Sequence, residues 1–298
     1  MKYFFRAIWR VFTAPFRGLG WVFRLFINFF KRTIARLLHF FTDTSQSTSQ
    51  PLGEALGTVV EQPATLLSHF TALRKHILRS AFTVVLLSLL AFYFIRPIMV
   101  FLSQPLPGGY ESLTAIDITE NIGSVMKVAL LCGFTVAIPY LALEAYLFFA
   151  PALQPASRVE NLFYIPLALI LFVGGMAFAY YIMLPIALPF LFNFMGLSTQ
   201  PRPSSFFGFI TAILFWIGLF FEFPLVTSLL ARIGILRSET LKSHWRIAVI
   251  IMALLAAMIT PTVDPINMGL VMGPMIILYL ISILFTGIAQ KKRQQVNS

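Results

Sequence analysis

The sequence predicts an all-α polytopic membrane protein with six spans, and three observations carry that prediction. Hydrophobic residues make up 58% of the 298 and charged residues only 11%, against roughly 25% charge in soluble domains. Apolar runs approaching or exceeding the roughly 20 residues that cross a bilayer recur along the chain. Basic residues gather between alternate runs, as a chain weaving through a membrane requires.

Residues 1–41 come first and are not a span. They are rich in Phe, Trp and Leu but interrupted by Lys2, Arg6, Arg10, Arg17, Arg24, Lys31, Arg32 and Arg36. Most of these cations share about one third of a helical wheel. The pattern predicts a basic amphipathic helix lying on the membrane surface, broken near Pro15, Gly18 and Gly20. Anionic lipid would contribute about 1 kcal/mol per basic residue there. The competing readings are a signal peptide and a seventh span. A signal peptide needs 7–15 uninterrupted apolar residues, which the segment lacks. Residues 42–66, with Ser, Thr, Gln, Gly and Pro, read as a flexible linker. The six-helix domain is expected over 67–293, with a polar tail at 294–298.

The spans are placed at about Ser80–Ile95 (with a continuation past Arg96-Pro97 left open), Val128–Phe149, Leu162–Leu184, Phe206–Leu230, Ile247–Ile259 and Ile266–Ile288. Pro185 and Pro189 are expected to close the third. The fifth, with about 13 residues, falls short of the usual core and implies local thinning or shelter by neighbours. Arg74, Lys75 and Arg79 precede the first span. Arg158 follows the second, four basic residues follow the fourth, and Lys291, Lys292 and Arg293 end the last. The intervening loops carry Glu111, Asp117, Glu120 and Asp264 but only Arg202 as a cation. Both termini are therefore expected to be cytoplasmic. The net charge of +11 has half of its 22 Lys and Arg before residue 80. That bears on topology and lipid, not on nucleic acid. The single Cys132 excludes an intramolecular disulfide.

Catalytic patterns are missing from the sequence. The four His form no HExxH or metal-spaced cluster, and there is no Walker A loop and no GxSxG. No cofactor is implied. The ionisable residues inside the spans are the sharper signal. Glu222 stands alone in the run Phe206–Ala231, and an intramembrane carboxylate is a functional-site hypothesis by default. The alternative is a structural Glu bonded to a neighbouring helix. Pro224, two residues on, should bend the helix beside it. Glu144 lies near the cytoplasmic end of the second span, at a depth similar to that of Glu222. Two carboxylates at one depth would line a cytoplasm-facing cavity suited to a cation. Lys127 reads as an interfacial, snorkelling side chain. Gly174-Gly175 and the Gly269–Gly273 GxxxG read as plain helix packing.

The stretches HFTALRKHIL (69–78), SQPLPGG (103–109), LFFAPAL (147–153), GGMAFAYYIMLP (174–185), FFEFPLV (220–226) and ITPTVDP (259–265) then stand in a telling order. Over about Ser68 to Arg293 the chain resembles TatC, the core subunit of the twin-arginine protein translocase. The resemblance implies a concave bundle of six helices, including short fifth and sixth helices, in a prokaryotic inner membrane. It implies binding of twin-arginine signal peptides of folded precursors, single-span TatA and TatB partners, oligomeric assembly, and drive from the proton-motive force. By position, Arg74 matches an Arg before the first span and Phe148 an aromatic before the first cytoplasmic loop. Pro105 matches a Pro of the outer cap, Glu222 the buried fourth-helix Glu, and Asp264 the Asp of the last outer loop.

Two departures are specific to this chain. Ala72 stands where the family has Glu, and a second acidic position falls on or near Ser157. A guanidinium pair seeks bidentate carboxylates, so Glu160 and Glu144 are the expected replacements, with Glu222 sharing the cation recognition. The reading from another class is a proton-coupled solute transporter using Glu222. Such transporters often show internal repeats, and none is evident between the two halves here.

Overall fold

The computed structural model describes residues 63–150, 162–192, 201–260 and 265–297. The chain divides into units Met1–Ser49 and Gln50–Ser298. The expected surface helix, residues 42–62 of the linker, Ser157, Glu160 and Asp264 lie outside the described residues. Those residues are helical wherever they are regular.

α1 runs Pro63–Ala91. A proline at the first turn loses no intrahelical bond, so Pro63–Leu66, assigned above to the linker, belong to the helix. A 3-10 turn, Phe92–Phe94, leads into α2, Ile95–Leu102. Pro97 cannot bond the carbonyl four residues back, and the chain tightens just ahead of it. The first span therefore continues past Arg96-Pro97, and Phe70–Leu102 is apolar enough to cross a membrane. α3, Ile118–Phe149, starts ten residues earlier than its apolar run. The Asp117 carboxylate caps it, accepting from the Thr119 N–H at 3.1 Å.

The third span corrects an expectation. α4, Tyr164–Phe178, passes through a π turn, Ala179–Met183, into α5, Leu184–Phe192. Pro185 and Pro189 do not close it. The π turn shifts the hydrogen-bond register ahead of Pro185, so the missing N–H is absorbed and the helix continues. The fourth span is broken as Pro224 suggested: α6 is Pro203–Phe221, α7 is Phe223–Ile233, and Glu222 sits at the break. α8, Ser238–Ser243, precedes α9, Trp245–Ile259, whose 15 residues make about 22 Å of helix. α10 runs Pro265–Asn297, 33 residues. A short sixth helix is thus overturned, and the polar tail is mostly helical. No proline follows Pro274, and Lys291, Lys292 and Arg293 suit the negative end of the helix dipole.

α3 packs against α1, α4 and α6, while α10 packs against α7 and α9. The core lies where α6 meets the third span. Phe172, Phe207, Ile210, Ile217 and Met183 are fully buried there. Large apolar side chains such as Ile170, Leu254, Met258 and Ile288 point outward. An apolar exterior of that extent is what lipid covers.

Glycine decides two crossings. A Cβ on Gly133 would stand 2.4 Å from the Ser88 backbone nitrogen of α1. A Cβ on Gly175 would stand 2.9 Å from Gly218 Cα of α6. By contrast Gly174, Gly269 and Gly273 meet nothing within 4 Å, so the GxxxG does not serve packing among the described residues. Gly133→Ala should push α1 off α3 and cost about 1–3 kcal/mol. Detergent unfolding of the variant beside Gly174→Ala, which should be near neutral, measures it.

At the end of the bundle where α3 begins, Glu120 is buried and pairs with Arg202 ahead of α6. Thr114 N–H donates to the Pro201 carbonyl at 3.2 Å. Pro105 lies half-buried in the turn after α2. Lys127 is exposed at the same end, its Nζ near Gly208.

Candidate functional site

Two carboxylates were singled out by sequence, and the fold gives them different neighbours. Tyr140, Glu144 and Phe148 recur every four residues of α3, which sets them on one face. That face meets α1, and His76 Nδ1 lies 2.5 Å from Glu144 Oε2. With Glu144 ionised, the imidazole donates. The Tyr140 hydroxyl donates to Oε1, and the Phe148 ring stands edge-on to His76 at 5.9 Å. Glu144 is 2% exposed. Arg74 is exposed, and Phe148 is half-buried.

Glu144 is therefore closed in rather than presented to a ligand. Both of its oxygens already accept, and a guanidinium reaches it only by displacing His76. Sequence reasoning missed His76 and Tyr140. The spacing of Tyr140 and Glu144 was a readable signal. The pairing with His76, 68 residues away, needed the register of α1 on α3, which Gly133 and Ser88 set.

Glu222 is positioned by the other glycine crossing. Gly175 and Gly218 bring α4 and α6 together, and a Cβ on Gly218 would touch the Phe172 ring at 3.0 Å. One turn further on, the Glu222 carboxylate lies against the α4 backbone at Phe172. It is 8% exposed, and its Oε1 is buried with no hydrogen-bond partner among the described residues. Pro224 is buried beside it in the first turn of α7. An unmet oxygen of this kind costs free energy until a donor arrives.

The single cavity expected for both carboxylates is not what these contacts build. α1 holds Glu144 and α4 holds Glu222. The cavities lined by α6, α9 and α10 and by α4, α7 and α10 include neither. Among the described residues no group of three or more His, Cys, Asp or Glu could hold a metal ion.

Residues 68–274 match the family model described as Sec-independent protein translocase protein (TatC). A TatC of Carboxydothermus hydrogenoformans is 34% identical over 225 residues, 75% of this chain and 93% of that protein. TatCy of Bacillus subtilis is 29% identical over 234 residues, 78% of this chain and 92% of its own length. A crystal structure of the twin-arginine translocase receptor TatC superposes with a TM-score of 0.67 at 28% identity. It covers 74% of this chain and 99% of that one.

Proposed function

The chain belongs to the TatC family of Sec-independent protein translocase proteins, and from that premise we propose that it receives signal peptides of folded precursors and recruits partner helices. The receiving face is the cytoplasmic end of α1 and α3, with Arg74 and Phe148 at the surface. Glu160 supplies the exposed carboxylate that Ala72 and Ser157 do not. Glu144 acts through His76, holding the imidazole that stands against Phe148. Glu222 and Pro224 receive a transmembrane helix of a TatA/TatB-like single-span subunit or an inserted signal peptide, and the proton-motive force drives transport. Pro105 and Asp264 belong to the outer cap and last outer loop. On this reading the chain is a binding and scaffold subunit rather than an enzyme, it sits N-in and C-in in a prokaryotic inner membrane, and residues 1–41 bind anionic lipid.

The observation that carries the reading is the buried, unpartnered Oε1 of Glu222 beside a proline-broken helix in a chain of this family. Photocrosslinkers at 74, 148, 160 and 222 test it. A twin-arginine precursor should be captured from 148 and 160, and a single-span helix from 222. Charge-neutral Glu160→Gln should reduce capture at least about tenfold, in keeping with the loss of a charge-assisted hydrogen bond. Unchanged capture would remove Glu160 from the site.

A further inference from the structure

Beyond that reading, and using of it only that the helices cross a bilayer, the cavity between α4, α7 and α10 has a chemistry of its own. It holds about 560 Å³ and is lined by Tyr164, Leu171, Leu225, Arg232, Phe285 and Lys292 among others. The walls are apolar, and the lining includes no Asp or Glu. The polar groups gather at one end. Arg232 is next to last in the apolar helix Pro203–Ile233, Lys292 is two residues from the end of Pro265–Gln294, and Tyr164 is the first residue of Tyr164–Phe192. All three therefore stand at headgroup depth, where Tyr is enriched and basic side chains meet lipid phosphate.

The local fold fixes this mouth. Gly234, at φ +93°, closes α7, its N–H bonding the Leu230 and Ala231 carbonyls. Only glycine takes that conformation readily, so Arg232 is held in the last turn. Arg293 of α10 lies against Gly234, leaving no room for a Cβ. The Arg232 guanidinium stands 5.3 Å from the Tyr164 ring centroid, a cation–π distance.

We propose that this cavity is a binding site for one anionic diacyl phospholipid. The phosphodiester lies between Arg232 and Lys292, and an acyl chain runs down the groove past Leu225 and Leu171. The site does not require either cation to be otherwise unpaired, since Arg offers five N–H donors and Lys three. A partner helix fits the volume poorly. At a diameter of about 10 Å, 560 Å³ accommodates only about 7 Å of helix, less than two turns.

Native mass spectrometry of the full chain, delipidated and titrated with phosphatidylglycerol or phosphatidylcholine of the same acyl chains, tests the assignment. The wild type should retain one phosphatidylglycerol at least about tenfold more tightly than phosphatidylcholine. R232Q/K292Q should weaken that one binding event roughly 30-fold, the scale of two basic contacts with lipid. Leu171→Trp, which keeps both cations and narrows the groove, should weaken it too. K242Q/R246Q, removing two exposed cations elsewhere, should not. Equal binding of both lipids, or unchanged binding in R232Q/K292Q, overturns the site. So does displacement of the lipid by millimolar inorganic phosphate with Leu171→Trp inert, which would mark an anion site without a groove. Recovery of a single-span protein crosslinked from Leu225 in place of lipid overturns it as well.

Discussion

His76→Ala is expected to destabilise the six-helix unit by about 3–5 kcal/mol, the scale of breaking a buried charge pair by removing one member. The reason is the Glu144 carboxylate, 2% exposed and held by His76 at 2.5 Å and by the Tyr140 hydroxyl. With His76 gone, one oxygen faces an apolar interface between α1 and α3 with no donor. Tyr140→Phe removes the other donor and should cost about 1–3 kcal/mol. Replacing both charged partners, as in His76→Leu with Glu144→Leu, should recover much of the loss, because a buried pair is often no better than a well-packed apolar one. Unfolding titrations of the two single variants and the double one give the coupling directly. Additive losses would show that His76 and Glu144 do not act as a pair. The same variants separate structure from binding. If Glu144 works through His76, the double-Leu variant folds but captures signal peptide poorly.

The membrane class and the six apolar runs were legible in composition and periodicity, because lipid forces every backbone polar group to be satisfied within a helix. Ends were less legible, for local reasons. Asp117 starts α3 well before its apolar stretch because a cap acts on backbone N–H groups and not on hydropathy. Pro185 and Pro189 looked like terminators because the sequence does not announce the π turn at Ala179–Met183 that accommodates them. At the site, Glu222 was legible as a lone charge in a long apolar run. The state of Glu144 was not, since it depends on a histidine 68 residues away. Glu120 and Arg202 entered the sequence reading only as charges in outer loops. Their pairing is a tertiary fact.

Glu222→Leu is expected to leave the fold intact and to abolish docking of a partner transmembrane helix. The two effects have opposite signs, which makes the variant informative. In the isolated chain, Oε1 is buried without a donor, so removing it should be neutral or stabilising, by up to about 1–3 kcal/mol. Leucine fits the position because its neighbours, Phe172 and Phe221, are apolar. In the assembly the same oxygen is the group that a polar side chain of an incoming helix would satisfy. Losing such a contact within a membrane is worth about 1–2 kcal/mol, or roughly 5–30-fold in occupancy. Glu222→Gln keeps one acceptor and should fall between. Pro224→Ala supplies the missing N–H, favours a continuous α6–α7 helix and should swing the carboxylate away from Phe172. Docking should then weaken although the acid is retained. Crosslinking yield from position 226, exposed on α7, to a single-span partner reads all three variants. Detergent stability reads their folds. A Glu222→Leu variant that loses stability while keeping full crosslinking would make the residue a structural acid bonded to its neighbours, and the docking role would go with it.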